Sequence, residues 1–503
     1  MAREHAAPPN ILLITLDQFR ADCLSCAGHP VVKTPALDKL AEQGIRLAKH
    51  YSQAAPCSPG RAALYTGTYQ MNNRVVANGT PLDTRFDNIA HAARRAGYVP
   101  ALFGYTDQGV DPRTVDDPDD PRLSTYEGVL PGFEPVLDMS GWQLPWLQWL
   151  NARGYDFADP ISALEVEHER PAELSTSTFL TNEYLNWLDT QDAPWFAHLS
   201  YLRPHPPYSA AGDFSKMYDP AECPPPLPVP TNHHRLFKAL LTSPAAAPID
   251  HAEVAHMQAQ YFGMISEVDA QLARVWSALE ARDEWKNTVI VVTADHAEQL
   301  GDQGLVQKAG FYESSYAILG IVRDPRIDHV GVVSDFTENI DIMPTLCEAM
   351  GIDVPTQCDG FPLTPFLRGE RPSSWRDAAY YEWDWRDVFI PHGDHNWPWD
   401  RRLERQNLAV RRSRDRAFVH FGDGSWRCFD LATDPTWQTE VSDPEMVMAE
   451  AVAMLSWRSR NLERTMTGML LQDGGIGRRP AAHVRAALGH VGLMDDDKGL
   501  RAD

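Results

Sequence analysis

Short apolar runs recur along this chain, each separated from the next by a helical pattern, and no other feature limits the fold so strongly. NILLITL (10–16) precedes a helical stretch at 35–43 that has Pro35 at its start and Gly44 just past its end. The alternation then repeats. Helix 87–96 leads to strand 98–104, helix 177–190 to strand 195–201, and a long amphipathic helix 251–280 to TVIVVTAD at 288–295. A strand that is apolar at every position must be covered on both faces, so the pattern predicts an α/β protein with a mostly parallel central sheet between helical layers. In such sheets ligands bind beyond the carboxyl ends of the strands, so the residues just after each run are the ones to read for chemistry.

A chain of 503 residues exceeds the roughly 250 to 300 at which single cores stop growing, which predicts more than one domain. The texture changes near residue 375. Alternating segments such as RAFVHF and WRCFDL read as antiparallel strands, and 445–466 reads as a helix. The division expected is 1–374 for the α/β domain and 375–503 for a smaller α+β subdomain. Long loops, one at 108–140 rich in Asp, Pro and Gly and one at 203–230 rich in Pro, are expected around the mouth of the sheet, and the aromatic segment 380–400 reads as packing or interface.

The net charge of -24 argues against sequence-independent binding of nucleic acid or anionic membrane. The apolar run ILLITL is too short for a signal-peptide core or a membrane span, and the expectation is a cytoplasmic protein. Seven scattered cysteines do not form a disulfide framework, and Cys23 and Cys26 make a C-x-x-C without a second pair, a weak signal for a zinc site or a redox pair. The aromatic segment and the C-terminal helix suggest a homodimer or homotetramer.

Asp17 and Gln18 follow the first run directly, and Asp295 and His296 follow VIVVTA. Either pair alone reads as an ordinary turn or cap. Together, at one sheet edge, two carboxylates, an amide oxygen and an imidazole suit one divalent cation, and the imidazole leans the choice toward Mn²⁺ over Ca²⁺. The stretch CSPGR (57–61) reads as a helix start, with Ser58 as N-cap and Pro59 as first helical residue. That reading leaves Arg61 in the first turn, where a cation opposes the helix dipole, so an anionic ligand is expected there. The arginine is not six positions after the cysteine, as a thiol phosphatase would require, since residue 63 is Ala; nor does a P-loop motif occur here.

The arrangement that remains is Cys-x-Pro-x-Arg in register with the two metal-suited dipeptides. On PNILLITLDQFRAD (9–22), CSPGRAALYTG (57–67), NRVVANGTPL (73–82), GYVPALFGYT (97–106), LRPHPPY (202–208) and TADHAEQLGDQGLVQK (293–308), the chain resembles the type I sulfatases of the alkaline phosphatase superfamily, in particular the phosphonate monoester hydrolase and arylsulfatase branch. The resemblance implies an alkaline-phosphatase-like α/β/α sandwich. It also implies that Cys57 is oxidised to formylglycine by a separate maturation enzyme, and that the aldehyde hydrate, with Asp17, Gln18, Asp295 and His296 around one metal ion, supplies the nucleophile.

By the same resemblance, Arg61 orients the formylglycine and the substrate anion, Tyr105 contacts substrate oxygens, and His205 and Lys308 meet the leaving group as acid or counter-charge. Asn78 reads either as a donor to the non-bridging oxygens or as a left-handed turn residue in Ala-Asn-Gly. The chain departs from the pattern at Asp107, where this branch typically has a second threonine and other sulfatases carry Lys and His nearby. Fewer cations imply a preference for monoanionic centres: sulfate monoesters, phosphonate monoesters and phosphodiesters. Two alternatives stand beside this reading, a metal-dependent phosphomonoesterase or mutase with a Ser or Thr nucleophile such as Ser58, and an inactive anion-binding scaffold.

Overall fold

In the computed structural model, residues 8–192, 194–232, 234–385, 405–463, 469–472 and 475–478 are described. Strands β1 (Asn10–Leu16), β2 (Ile45–Tyr51), β3 (Ala54–Ala55), β4 (Pro100–Gly104), β5 (Glu134–Asp138), β6 (Phe196–Tyr201), β7 (Thr288–Thr293), β8 (Gly320–Arg323) and β9 (Gly331–Glu338) are followed by β10 (Ala378–Asp384), β11 (Asn407–Ser413), β12 (Arg416–Phe421) and β13 (Trp426–Asp430). The main sheet has the order β5-β4-β6-β1-β7-β8-β2-β9. Only β8 opposes the common direction, pairing antiparallel with both β7 and β2.

The mostly parallel sheet expected from the apolar runs is therefore present, and its central strands show why those runs are continuous. Leu12, Ile14 and Leu16 of β1 enter a core with helices Pro35–Ala41, Thr176–Leu188 and His251–Ala281, whereas Ile11 and Leu13 enter the opposite core with helices Cys57–Thr66, Ile89–Arg95 and Ile342–Ala349. Alternate residues face opposite sides, so both faces must be apolar. Helix starts are marked by side chains that accept from free backbone N–H groups: Asn88 from Ala90 and His91, Ser175 from Thr178, and Asp250 from Ala252.

The second sheet, β13-β12-β11-β10-β3, takes four of its strands from Ala378 onward and is antiparallel except at its edge, where the two-residue β3 runs parallel to β10. Helix Pro444–Arg460 covers it, shorter than the 445–466 expected, and residues 464–466 of that stretch lie outside the described residues. Of the aromatic segment 380–400, residues 380–385 are buried in or beside β10; the remainder lies outside the described residues. No described helix is long and apolar enough to cross a membrane.

Candidate active site

Because β1 and β7 are parallel neighbours with Thr15 opposite Thr293, the residues just past them emerge at one edge of the sheet. Asp17 and Gln18 leave β1 there, with Gln18 at φ 70°, and Asp295 and His296 leave β7. Cys57 arrives from the other direction, as the first residue of helix Cys57–Thr66 immediately after β3. The helix lies against the end of β7 with nothing between them, since a Cβ on Gly60 would sit 2.3 Å from the Asp295 carbonyl oxygen.

The ligand atoms of Asp17, Cys57, Asp295 and His296 lie within 4.8 Å of one another, all buried. Cys57 Sγ is 3.2 Å from His296 Nε2, which is 3.7 Å from Asp17 Oδ1 and 3.6 Å from Asp295 Oδ2. Asp17 Oδ1 is buried and accepts no hydrogen bond. An unsatisfied buried carboxylate oxygen beside a neutral imidazole and a second carboxylate is the donor set a divalent cation requires, so these residues fit one. Gln18 stands differently from the others. Its Oε1 accepts from Lys308 Nζ at 3.0 Å, and its Nε2 donates to Glu298.

Two sequence expectations need correcting. Ser58 is not the N-cap and Pro59 is not the first helical residue: the helix begins at Cys57, the cap position is Pro56, and the Ser58 hydroxyl is buried without a partner. The Ser58 N–H is instead met by Asn78 Oδ1 at 3.0 Å, so Asn78 caps this helix from a distant loop. The left-handed residue in that turn is Gly79, at φ 90°.

Arg61 therefore lies beyond the first turn, and the anions that balance it belong to the chain itself. Its Nε donates to Asp295 Oδ2 at 3.1 Å and its Nη2 to Asp17 Oδ2 at 3.0 Å, while Nη1 donates to Ser200 Oγ at 2.8 Å and the Tyr105 carbonyl at 3.2 Å. Asp107 Oδ2 stands 3.5 Å from Nε. A guanidinium so engaged ties the metal-suited carboxylates together instead of offering itself to a ligand. Tyr105, under the Arg61 guanidinium, donates its hydroxyl to Asp17 Oδ2 at 2.8 Å.

On the other side of Cys57, Lys308 Nζ is 3.5 Å from Sγ and 2.9 Å from His205 Nε2. Lys308 is placed by its predecessor, Gln307 at φ 62°, whose N–H donates to Glu298 Oε1 at 2.5 Å and whose carbonyl accepts from Gln299 N at 2.8 Å. Glu298, which also receives Tyr208 OH at 2.8 Å and Leu300 N at 2.8 Å, thus organises Gln18 and Lys308 together. Sequence reasoning did not single it out, and nothing in its spacing distinguishes it from a surface glutamate.

Burial favours neutral forms, and the local charges sort the rest. Burial and the Lys308 ammonium hold the imidazoles of His205 and His296 down at about 3, so both are neutral near pH 7, the form in which a histidine ligates a metal. Burial would raise Asp17, yet His205, Arg61, His296 and Lys308 around it keep it well below the usual carboxylate range. Asp295 moves the opposite way, raised by burial and by Asp17 beside it. Burial and the Asp17 charge also push the Cys57 thiol far up, so this cysteine is not a thiolate nucleophile. Asp107 is raised to about 8, chiefly by burial.

The structure thus brings together nine of the ten residues expected at the site (Asp17, Gln18, Cys57, Arg61, Tyr105, His205, Asp295, His296 and Lys308), and places the tenth, Asn78, at the start of the Cys57 helix. Cys57, Asp17, Tyr105, Asp107 and His205 line a cleft of about 30 Å³ whose remaining wall holds Leu202, at the start of the LRPHPPY stretch, and Tyr126, Glu127, Met139, Trp142 and Gln143, which no motif marks. Cys23 and Cys26 are unpaired, one buried and one exposed.

Comparison with known proteins agrees with this geometry. The family model described as Sulfatase matches residues 9–352, and one described as N-sulphoglucosamine sulphohydrolase, C-terminal, matches residues 301–464. The chain is 35% identical to the multifunctional alkaline phosphatase superfamily protein PehA of Trinickia caryophylli, over 93% of this chain and 99% of that protein. Among solved structures it is similar to the phosphonate monoester hydrolase of Agrobacterium radiobacter, at 39% identity and a TM-score of 0.87 over 94% of this chain and 99% of that one. The phosphonate monoester hydrolase from Silicibacter pomeroyi follows at 35% identity and a TM-score of 0.85, over 94% and 99%.

Proposed function

This chain belongs to the sulfatase family, whose members are ester-bond hydrolases on the alkaline phosphatase superfamily fold, and from that premise we propose that it hydrolyses monoanionic esters, sulfate monoesters or phosphonate monoesters and phosphodiesters, with Cys57 matured to formylglycine beside one divalent metal ion. The observation that carries the proposal is the buried cluster of Asp17, Cys57, Asp295 and His296 within 4.8 Å. These residues, with Gln18 once Lys308 yields its oxygen, would hold the ion, with Mn²⁺ favoured by the imidazole.

When bound, the metal supplies charge neutralisation on the transferred group. Formylglycine, once formed by a maturation enzyme, supplies an oxygen nucleophile that the protonated thiol of Cys57 lacks. The chain's own residues do the rest. Arg61 keeps Asp17 and Asp295 at fixed separation, and Tyr105 holds the Asp17 oxygen that Arg61 shares. Lys308 is the proton source for the leaving oxygen. His205, neutral and accepting from Lys308 Nζ, aims that ammonium, while its Nδ1 faces the Pro206 carbonyl at 2.7 Å. Asn78 fixes the helix turn that carries residue 57.

A serine nucleophile finds less support, because Ser58 is buried and is not among the residues lining the cleft. The test is intact mass of the peptide holding residue 57, from a host with a formylglycine-generating enzyme, read alongside turnover of aryl sulfate and phenyl phosphonate esters before and after chelation. A persistent unmodified thiol in fully active protein, or turnover untouched by metal removal, would sink the mechanism.

A further inference from the structure

At the mouth of the cleft, where Asp107 also stands at φ 50°, a run of three residues departs from ordinary backbone geometry. Helix Ser140–Asn151 opens with three successive left-handed residues, Gly141 (φ 72°), Trp142 (φ 56°) and Gln143 (φ 72°). Glycine adopts that conformation freely. A tryptophan and a glutamine do so only where their surroundings hold them. Here the restraints are explicit. The Glu127 carboxylate accepts from the N–H groups of both Gly141 and Trp142, the latter at 2.9 Å. Gln143 donates its N–H to the Met139 carbonyl at 3.0 Å and accepts on its side chain from Thr176 Oγ1 at 2.8 Å.

The arrangement presents the Trp142 indole, 40% exposed, at the cleft that Cys57 lines, with its ring 6.3 Å from the His205 ring at 67°. Strain held at a site mouth is worth reading as function, and a large apolar ring left half in solvent beside the leaving-group residue is worth reading as a contact surface. Tyr126, Met139 and Leu202 continue the same wall.

We propose that Trp142 is the specificity-determining wall for the leaving group, a preorganised stacking face that selects planar aromatic esters over alkyl esters, and that Glu127 is the positioning residue that holds it there. The inference rests on the hydrolase reading of this cleft. A ring fixed before the substrate arrives loses little freedom on stacking, so its contribution appears in the selectivity between leaving groups and leaves the chemistry at residue 57 unchanged.

The experiment compares phenyl with hexafluoroisopropyl monoesters of methylphosphonate, and the same two sulfate esters, alcohols of similar acidity that differ in planarity. In the full-length, matured, metal-loaded enzyme, Trp142→Ala should lower kcat/KM for the phenyl esters about tenfold, the scale of one lost aromatic contact, and leave the fluoroalkyl esters within about twofold. Trp142→Phe should recover most of the phenyl activity. Glu127→Ala should reproduce the selectivity change and add nothing on top of Trp142→Ala, the non-additivity of residues acting as one unit. Because Trp142 is 40% exposed at the mouth of a cleft and belongs to none of the apolar core clusters, its truncation opens no core, and an unchanged melting temperature verifies that. An equal loss on both leaving groups, no loss on either, or additive effects of the two substitutions would overturn the proposal. Should wild-type enzyme turn over neither ester, it is the hydrolase reading that fails. The esters then serve as inert ligands, and a phenyl-to-fluoroalkyl binding ratio indifferent to Trp142→Ala overturns the wall as well.

Discussion

Arg61 and Asp107, a buried base and a buried acid beside the metal-suited carboxylates, each give a separate expectation. Arg61 is fully buried between Asp17 and Asp295, and removing one member of a buried ion cluster strands the others. Arg61→Ala should therefore cost about 3–5 kcal/mol in denaturant unfolding of the metal-free protein, and a loss under 1 kcal/mol would mean the carboxylates do not depend on it. Asp107 carries the opposite logic. Burial raises its folded pKa to about 8. Below that pH the group is protonated and adds no negative charge near the transferred anion; above it the carboxylate ionises and repels the substrate. Asp107→Asn should leave kcat/KM at pH 7 within about threefold and, by removing the repulsion, flatten the fall of the wild-type profile above pH 8. Parallel alkaline limbs in the two pH–rate profiles would show that Asp107 is not the group titrating there.

At the scale of elements, what could be read from the residue order was what repeats locally. The strand runs were legible because burial on both faces forces continuous apolar sequence, and Asp17, Asp295 and His296 were legible because they follow such runs directly. The start of helix Cys57–Thr66 was not, because its cap comes from Asn78 twenty residues on, and Ser58, a good cap by propensity, leaves its hydroxyl without a partner. Nor could the counter-charges of Arg61 be read, since they lie 44 and 234 positions away. The same long-range capping occurs at helix Pro35–Ala41, whose Ala36 and Leu37 N–H groups donate to Asp269 on helix His251–Ala281 at 3.0 and 2.8 Å. Burial raises Asp269 to about 7, against the lowering effect of those two bonds. Between about pH 4 and about pH 7 the folded chain then holds a proton that the unfolded chain has released, so this group's contribution to stability falls as pH rises through that window and is level above it. Asp269→Asn, which mimics the protonated form, should be destabilising by less at pH 8 than at pH 5, as read from urea midpoints; an unchanged difference would place the titration elsewhere.

Across the whole molecule, the change of texture near residue 375 does not separate two independent bodies. The second sheet takes its edge strand β3 from residues 54–55, immediately before Cys57, and Gln53 Nε2 donates to Glu382 on β10 at 3.0 Å. Tyr51 and Tyr316 share one apolar cluster with Tyr381 and Trp383, while Ala63 and Tyr69 share another with Tyr380 and Trp457, the last two stacked at 4.6 Å. The cysteine-bearing helix is thus packed on one side by the main sheet and on the other by chain that follows residue 375. We predict that a chain ending at residue 374 exposes these two clusters as apolar surface, aggregates, and shows no turnover. In the full-length protein the same dependence should appear as a cost of about 3–5 kcal/mol for Trp457→Ala, far from the cleft, because a buried aromatic is lost from the seam. Soluble, monodisperse and active 1–374 protein would contradict the prediction and make the C-terminal part an accessory. Aggregation of the truncated chain, together with loss of Trp457→Ala turnover only where that variant unfolds, would show that the helix carrying residue 57 is held in place by both sheets.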